Sequence, residues 1–169
     1  MKKLIVLCAA CGVGKSTVRE YLDRSGTLPE WACIDGDDII NWWDYAGTDR
    51  EDRFYSDCLA EAVRLAGDRH LLLAACMNPF DFFGKVDVPP EIESTHFVAL
   101  ICSDEEVTAR LKARPAERMC GSDEFIAGQI EYNSWFRKNA GKFQLCIDNT
   151  CQSVAQTADR IKDFIETIF

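Results

Sequence analysis

Short apolar runs alternate along the chain with longer stretches of helical periodicity. Residues 4–8 form a run rich in branched side chains, too short for a helix and bounded like a buried strand. Residues 16–24 follow with helical spacing and place Val18, Tyr21 and Leu22 on one side. Further strands are predicted over 31–34, 70–76, 95–102 and 143–147, and further helices over 53–66, 104–113, 122–138 and 153–169. Within 53–66, Leu59, Ala62, Val63 and Ala66 recur on one face, the stripe a helix buries. Gly67 suits the position just past its end. Pro115 stops the helix that begins at 104, and Ser122 is placed to cap the next one. The last helix turns Val154, Ala158, Ile161, Ile165 and Ile168 inward. Five apolar strands alternating with helices predict an α/β fold, a parallel sheet covered on both faces.

At 169 residues without an internal repeat, one domain is expected. A hydrophobic share of 47% with 28% charged residues marks a globular chain. The net charge of -9 speaks against a general nucleic-acid binder, which needs a basic face. The apolar stretch after Met1-Lys2-Lys3 is too short for a secretory leader, and no run approaches a membrane span. A soluble cytoplasmic protein, monomer or homodimer, without nucleic-acid or membrane partners, is expected. The nine cysteines then read as reduced thiols, mostly buried. Cys8 and Cys11 form C-x-x-C. A zinc site would need a second ligand pair, which His70 and His96 do not supply at matching spacing. An oxidation-sensitive pair is the other special role this spacing allows.

The candidate chemistry starts at Ala9-Ala10-Cys11-Gly12-Val13-Gly14-Lys15-Ser16-Thr17. It matches the end of the phosphate-binding pattern G-x-x-x-x-G-K-[ST], with Ala9 where the first glycine belongs. Glycines let backbone N–H groups turn onto phosphate oxygens, and the helix that follows points its positive end at the same anion. Cys11, Gly12, Val13, Gly14, Lys15, Ser16 and Thr17 are the candidate nucleotide-binding residues. Lys15 is expected to reach the outer phosphates, and Ser16 to ligate Mg²⁺. Ala9 is tolerable provided its φ is negative.

Asp35 and Asp37 flank Gly36 where the second strand ends. If that end is extended, both carboxylates face the crevice beyond the strand ends. One would hold the Mg²⁺ shell and the other would accept the proton of an attacking hydroxyl. Aspartates also cap helices and make turns, and Asp38 is expected to be the cap.

Taken together, Gly-x-Gly-Lys-Ser after strand one and Asp-Gly-Asp after strand two resemble the P-loop small-molecule kinases. The nearest patterns are the shikimate, gluconate and adenylylsulfate kinases, within a group that includes nucleoside and nucleotide kinases and antibiotic phosphotransferases. The resemblance implies ATP as phosphoryl donor, Mg²⁺, and a three-layer P-loop NTPase fold with strand order 2-3-1-4-5. Carried over onto this chain, it implies roles for Gly14, Lys15 and Ser16, for Asp35 at the metal, and for Asp37 at the acceptor as catalytic base. It also implies a lid. Arg110, Lys112, Arg114 and Arg118 stand against the single acid Glu117, so 110–122 is expected to close on the nucleotide. Arg114 and Arg118 would then neutralise the transferring group and Arg110 would contact the nucleotide. The alternative is a solvated basic face paired with Glu105 and Glu106.

In this group of kinases the acceptor-binding helices lie between strands two and three, here 39–66. Trp42 and Arg53 are candidates there, the first to stack and the second to hold an anion. The alternative places the tryptophans in the core and the arginines on the surface. Asn78, after strand three, is a further acceptor candidate, and Gln129 and Tyr132 share one helix face with the same possibility. By position, Thr150 in the loop after strand five is expected to lie against the adenine. The expected activity is γ-phosphoryl transfer from ATP to a small-molecule hydroxyl. A nucleoside monophosphate kinase is the alternative, as is a nucleotide-binding protein or NTPase without kinase activity. No Asn-Lys-x-Asp is present, and strand three ends in Cys76 instead of an acid. Both features weaken GTPase and motor readings.

Overall fold

The computed structural model describes residues 1–116 and 119–169. Five parallel strands form one sheet in the order β2-β3-β1-β4-β5. They are β1 (Lys2–Cys8), β2 (Trp31–Asp35), β3 (His70–Ala74), β4 (Ile92–Ile101) and β5 (Leu145–Asp148). Four long helices were legible: α1 (Lys15–Ser25), α3 (Phe54–Ala66), α6 (Asp123–Lys138) and α7 (Val154–Ile168). The shorter α5 (Asp104–Lys112) was too. Two one-turn helices, α2 (Gly36–Ile39) and α4 (Pro79–Phe82), had no periodicity long enough to announce them.

Strand alternation builds two cores. Ile5 and Leu7 of β1, Leu72 of β3, and Val98 and Leu100 of β4 pack with Val18 and Leu22 of α1 and Ile161 and Ile165 of α7. The intervening Leu4, Val6, Leu71, Leu73 and Phe97 pack on the opposite face with Leu59, Ala62 and Val63 of α3 and Phe136 of α6. Because both faces are covered, β1 reads as a continuous apolar run. At the ends the structure departs from the sequence reading. β3 stops at Ala74 instead of Cys76, and β4 starts at Ile92 instead of Thr95. Tyr21 of α1 is exposed, and Val154 and Ile168 are half-buried.

All the P-loop and acidic residues fall at the C-terminal ends of β1 and β2, the edge where an open parallel sheet forms its crevice. Among the described residues, no helix is long and apolar enough to cross a membrane.

Candidate active site

Between β1 and α1 the chain bends through Gly12 (φ 86°) and Gly14 (φ 109°), a region L side chains enter at a cost. Ala9 is not among the residues of positive φ and is fully buried. A methyl group there therefore carries no backbone strain, and the departure from the glycine pattern is absorbed. Gly14 is the residue preceding the first turn of α1, and no side chain caps that turn. The helix thus presents its N–H groups at the loop, the arrangement that favours an anion.

Three distant elements brace the loop. The Val13 carbonyl accepts from Arg110 Nη1 at 2.8 Å and from Asn149 Nδ2 at 2.9 Å. The Cys11 N–H donates to Gln129 Oε1 at 2.8 Å. Arg110 is held in turn by Glu106 at 2.7 Å. Its side chain is therefore committed to loop and helix, which places it as a brace in this state. Asn149 is buried, and its Oδ1 has no hydrogen-bond partner among the described residues. Sequence reading passed it over for its neighbour Thr150. The hydroxyl of Thr150 accepts from the Ser103 N–H at 2.8 Å and donates to Asp148 at 2.6 Å, so it ties the β5 loop to the start of α5.

Lys15, Ser16 and Thr17 share a cavity of about 540 Å³ with Arg19, Asp35, Asp37 and Arg114. Lys15 is only 8% exposed. Burial disfavours its charge, but Cys76, Asp35, Asp37 and Cys11 outweigh that, and its pKa lies above the ordinary lysine value. Arg19 was not foreseen, although it stands one turn from Lys15 and so shares its face. Its Nη2 lies 2.6 Å from Asp38 and 3.8 Å from Asp35.

The two aspartates reach the cavity by a different route from the one expected. The extended strand ends at Asp35, and Asp37 already belongs to α2. Asp35, not Asp38, is the cap, its Oδ1 accepting from the Asp37 N–H at 3.2 Å. The strand end at Asp35 and the helix start at Asp37 bring both carboxylates onto the cavity wall all the same. The oxygens of Ser16 and Asp35 form a hard donor set of the kind Mg²⁺ takes.

Cys11 adjoins Cys76 instead of its C-x-x-C mate. Hydrogen bonding to Cys76 brings the Cys11 thiol down to about 6 against the opposing effect of burial, helped by Lys15 and Arg114. Cys8 donates to the Met77 carbonyl at 2.9 Å, and burial drives its pKa up.

The other candidates are dispersed. Arg114 lines the cavity, and Arg118 lies outside the described residues. Trp42 stands 41% exposed against Phe54, ring centroids 5.1 Å apart. Arg53 pairs with Asp57 at 3.2 Å and Asp87 at 3.4 Å. Asn78 caps α4 by accepting from the Phe80 and Asp81 N–H groups, and its amide donates to Asp81 and to Tyr132. Buried and fully bonded, Asn78 forms part of the wall of a cavity of about 640 Å³ between α4 and α6.

A lysine and a positive helix end beneath a glycine bend, at the crevice of a 2-3-1-4-5 sheet, define a P-loop NTPase fold. Residues 5–130 match the family model described as an AAA domain. The match covers more than half of the chain, which therefore belongs to that family. No curated protein matches. Among solved structures, the chain is similar to a gluconokinase from Sinorhizobium meliloti 1021, with 19% identity, TM-score 0.60, and 99% of this chain and 98% of that one covered. It is also similar to the tunicamycin resistance protein of Deinococcus radiodurans (16%, TM-score 0.65, 98% and 96% covered). A third is shikimate kinase from Bacteroides thetaiotaomicron (14%, TM-score 0.62, 97% and 98% covered). At these identities the likeness is one of fold.

Proposed function

We propose that this protein is an ATP-dependent phosphotransferase that moves the γ-phosphoryl group to a hydroxyl of a small molecule. The observation that carries the reading is the buried Lys15 facing Asp35 and Asp37 across one cavity at the phosphate loop. Backbone N–H groups of the loop and α1 hold the phosphates, and the Lys15 ammonium offsets charge on the transferring group. Asp37, exposed on the cavity wall, takes the proton of the acceptor hydroxyl. Mg²⁺ would be held by Ser16 and Asp35 and would neutralise phosphate charge. Arg114 and Arg118 belong to a lid spanning 110–122, and 39–66 contributes to the acceptor side. The gluconokinase and the shikimate kinase among the structural neighbours support this choice over other P-loop activities.

The test is transfer of labelled phosphate from Mg·ATP to a panel of alcohols, with Lys15→Ala and Asp37→Asn as variants. Lys15→Ala should lose transfer and weaken ATP binding. Asp37→Asn should keep ATP binding and lose most of kcat. An Asp37→Asn variant with the parent rate would remove the base and point to a phosphate acceptor, as in a nucleoside monophosphate kinase.

A further inference from the structure

One face of α6 runs from the phosphate loop into a second cavity. Gln129 holds the Cys11 N–H. One turn on, the Tyr132 hydroxyl donates to the Cys76 carbonyl at 3.2 Å, and the Cys76 thiol adjoins Cys11 beside Lys15. Beyond Tyr132 opens a cavity of about 640 Å³ between α4 and α6, lined by Phe80, Asp81, Glu131 and Trp135. A further hollow of about 430 Å³, lined by Trp42, Glu51, Asp52, Tyr55 and Lys85, shares Asp81 with it. The acceptor side of the site thus adjoins these walls.

Their charge is one-sided. Among the described residues, the larger cavity carries two carboxylates and no cation. Among the described residues, the smaller has a single cation, Lys85, 3.4 Å from Asp81. The arginines of 39–66 are already engaged, Arg50 and Arg53 with Asp57 at 3.1 and 3.2 Å. An anionic acceptor would therefore meet Glu131 and an Asp81 that the single Lys85 offsets, or have to break those pairs. Phe80, half exposed against the edge of Trp135 with ring centroids 5.6 Å apart, adds an open aromatic face. Carboxylates beside aromatic faces form the pairing that recognises an ammonium group.

We propose that the acceptor is a cationic alcohol, an amino sugar or amino alcohol, whose ammonium group sits between α4 and α6 while its hydroxyl reaches Asp37. The proposal rests on the phosphotransfer reading. Its test measures ATP affinity of the intact chain first, then transfer to amino sugars and amino alcohols, to neutral sugars and nucleosides, and to sugar acids and nucleoside monophosphates. The best acceptor should be an amine. Glu131→Gln should raise the KM of that acceptor about fivefold, the scale of a part-exposed ion pair, and Glu131→Lys should raise it further, with kcat changing less than KM. Glu131 is exposed, so neither variant threatens the fold. A chain that does not bind ATP sinks the phosphotransfer reading. A chain that binds ATP but prefers neutral or anionic acceptors, or takes no amine, overturns this inference alone. An amine KM indifferent to both Glu131 variants overturns it too.

Discussion

Replacing Gly12 by alanine should strike the loop twice. Its φ of 86° lies where a Cβ is disfavoured, and a Cβ built there would stand 2.8 Å from Leu111 Cγ and 3.3 Å from the Val107 carbonyl. The backbone cost is about 1–2 kcal/mol. Overpacking against a fully buried leucine adds about 1–3 kcal/mol. Together they approach a third of a typical domain's stability and should move a urea midpoint by about 1–2 M. Leu111→Ala alone should cost about 2–5 kcal/mol through its cavity. In the double variant the new methyl enters space the leucine has vacated. The pair should then cost about 1–2 kcal/mol less than the sum of the singles. Urea titrations of the four proteins, followed by tryptophan fluorescence, give the coupling directly. Strict additivity would refute the contact between loop and α5, and a Gly12→Ala protein as stable as the parent would refute the loop conformation itself.

Three further outcomes follow from the braces and the acids. Alkylation of Cys11 should rise with pH through a midpoint near 6, because the thiolate is the nucleophile. Cys76→Ser should move that midpoint, and Mg·ATP should protect; a profile centred at an ordinary thiol pKa would contradict the contact with Cys76. Asn149→Ala removes a buried 2.9 Å hydrogen bond to the Val13 carbonyl and should cost about 1–2 kcal/mol in a denaturant melt. It should weaken ATP binding as well, since the loop loses one of its two ties at that carbonyl, and unchanged affinity would make Asn149 merely structural. Asp35→Ala removes the α2 cap, worth about 1 kcal/mol, and should raise the Mg²⁺ concentration needed for half-maximal transfer. An unaltered Mg²⁺ dependence would take Asp35 out of the metal shell.

The fold was legible because burial on both faces leaves a simple signature. The β1 run 4–8, the α3 stripe of Leu59, Ala62, Val63 and Ala66, and the serine cap at 122 each report a local constraint. The strand order was not contained in these periodicities and came only with the resemblance. What the pattern hid are short elements whose stability is borrowed. Helix α2 is four residues long, far below the length that sustains a helix on its own. It forms because Asp35 caps it and Gly36 lets it approach Cys58 of α3, where a Cβ would come to 3.1 Å from the sulfur. Two acids around a glycine therefore read as a strand end, when tertiary packing makes them a helix start.

The site shows the same division between local and borrowed. Lys15 could be recognised because the loop's chemistry is contiguous. Gln129, Arg110 and Asn149 lie far from it in sequence, on α6, α5 and the β5 loop, and nothing near any of them signals a hydrogen bond to residue 11 or 13. The resemblance instead implied a nucleotide contact for Arg110 and, by position, an adenine contact for Thr150. In the structure Arg110 bonds the Val13 carbonyl and Glu106, and Thr150 ties the β5 loop to the start of α5. A lysine, two acids and a glycine bend can be written into any chain. What makes them one site is that α5, α6 and the β5 loop each give a polar group to hold the bend, so loop geometry is a property of the whole sheet edge. Loosening any one tie should therefore be felt at the phosphates before it is felt in the core.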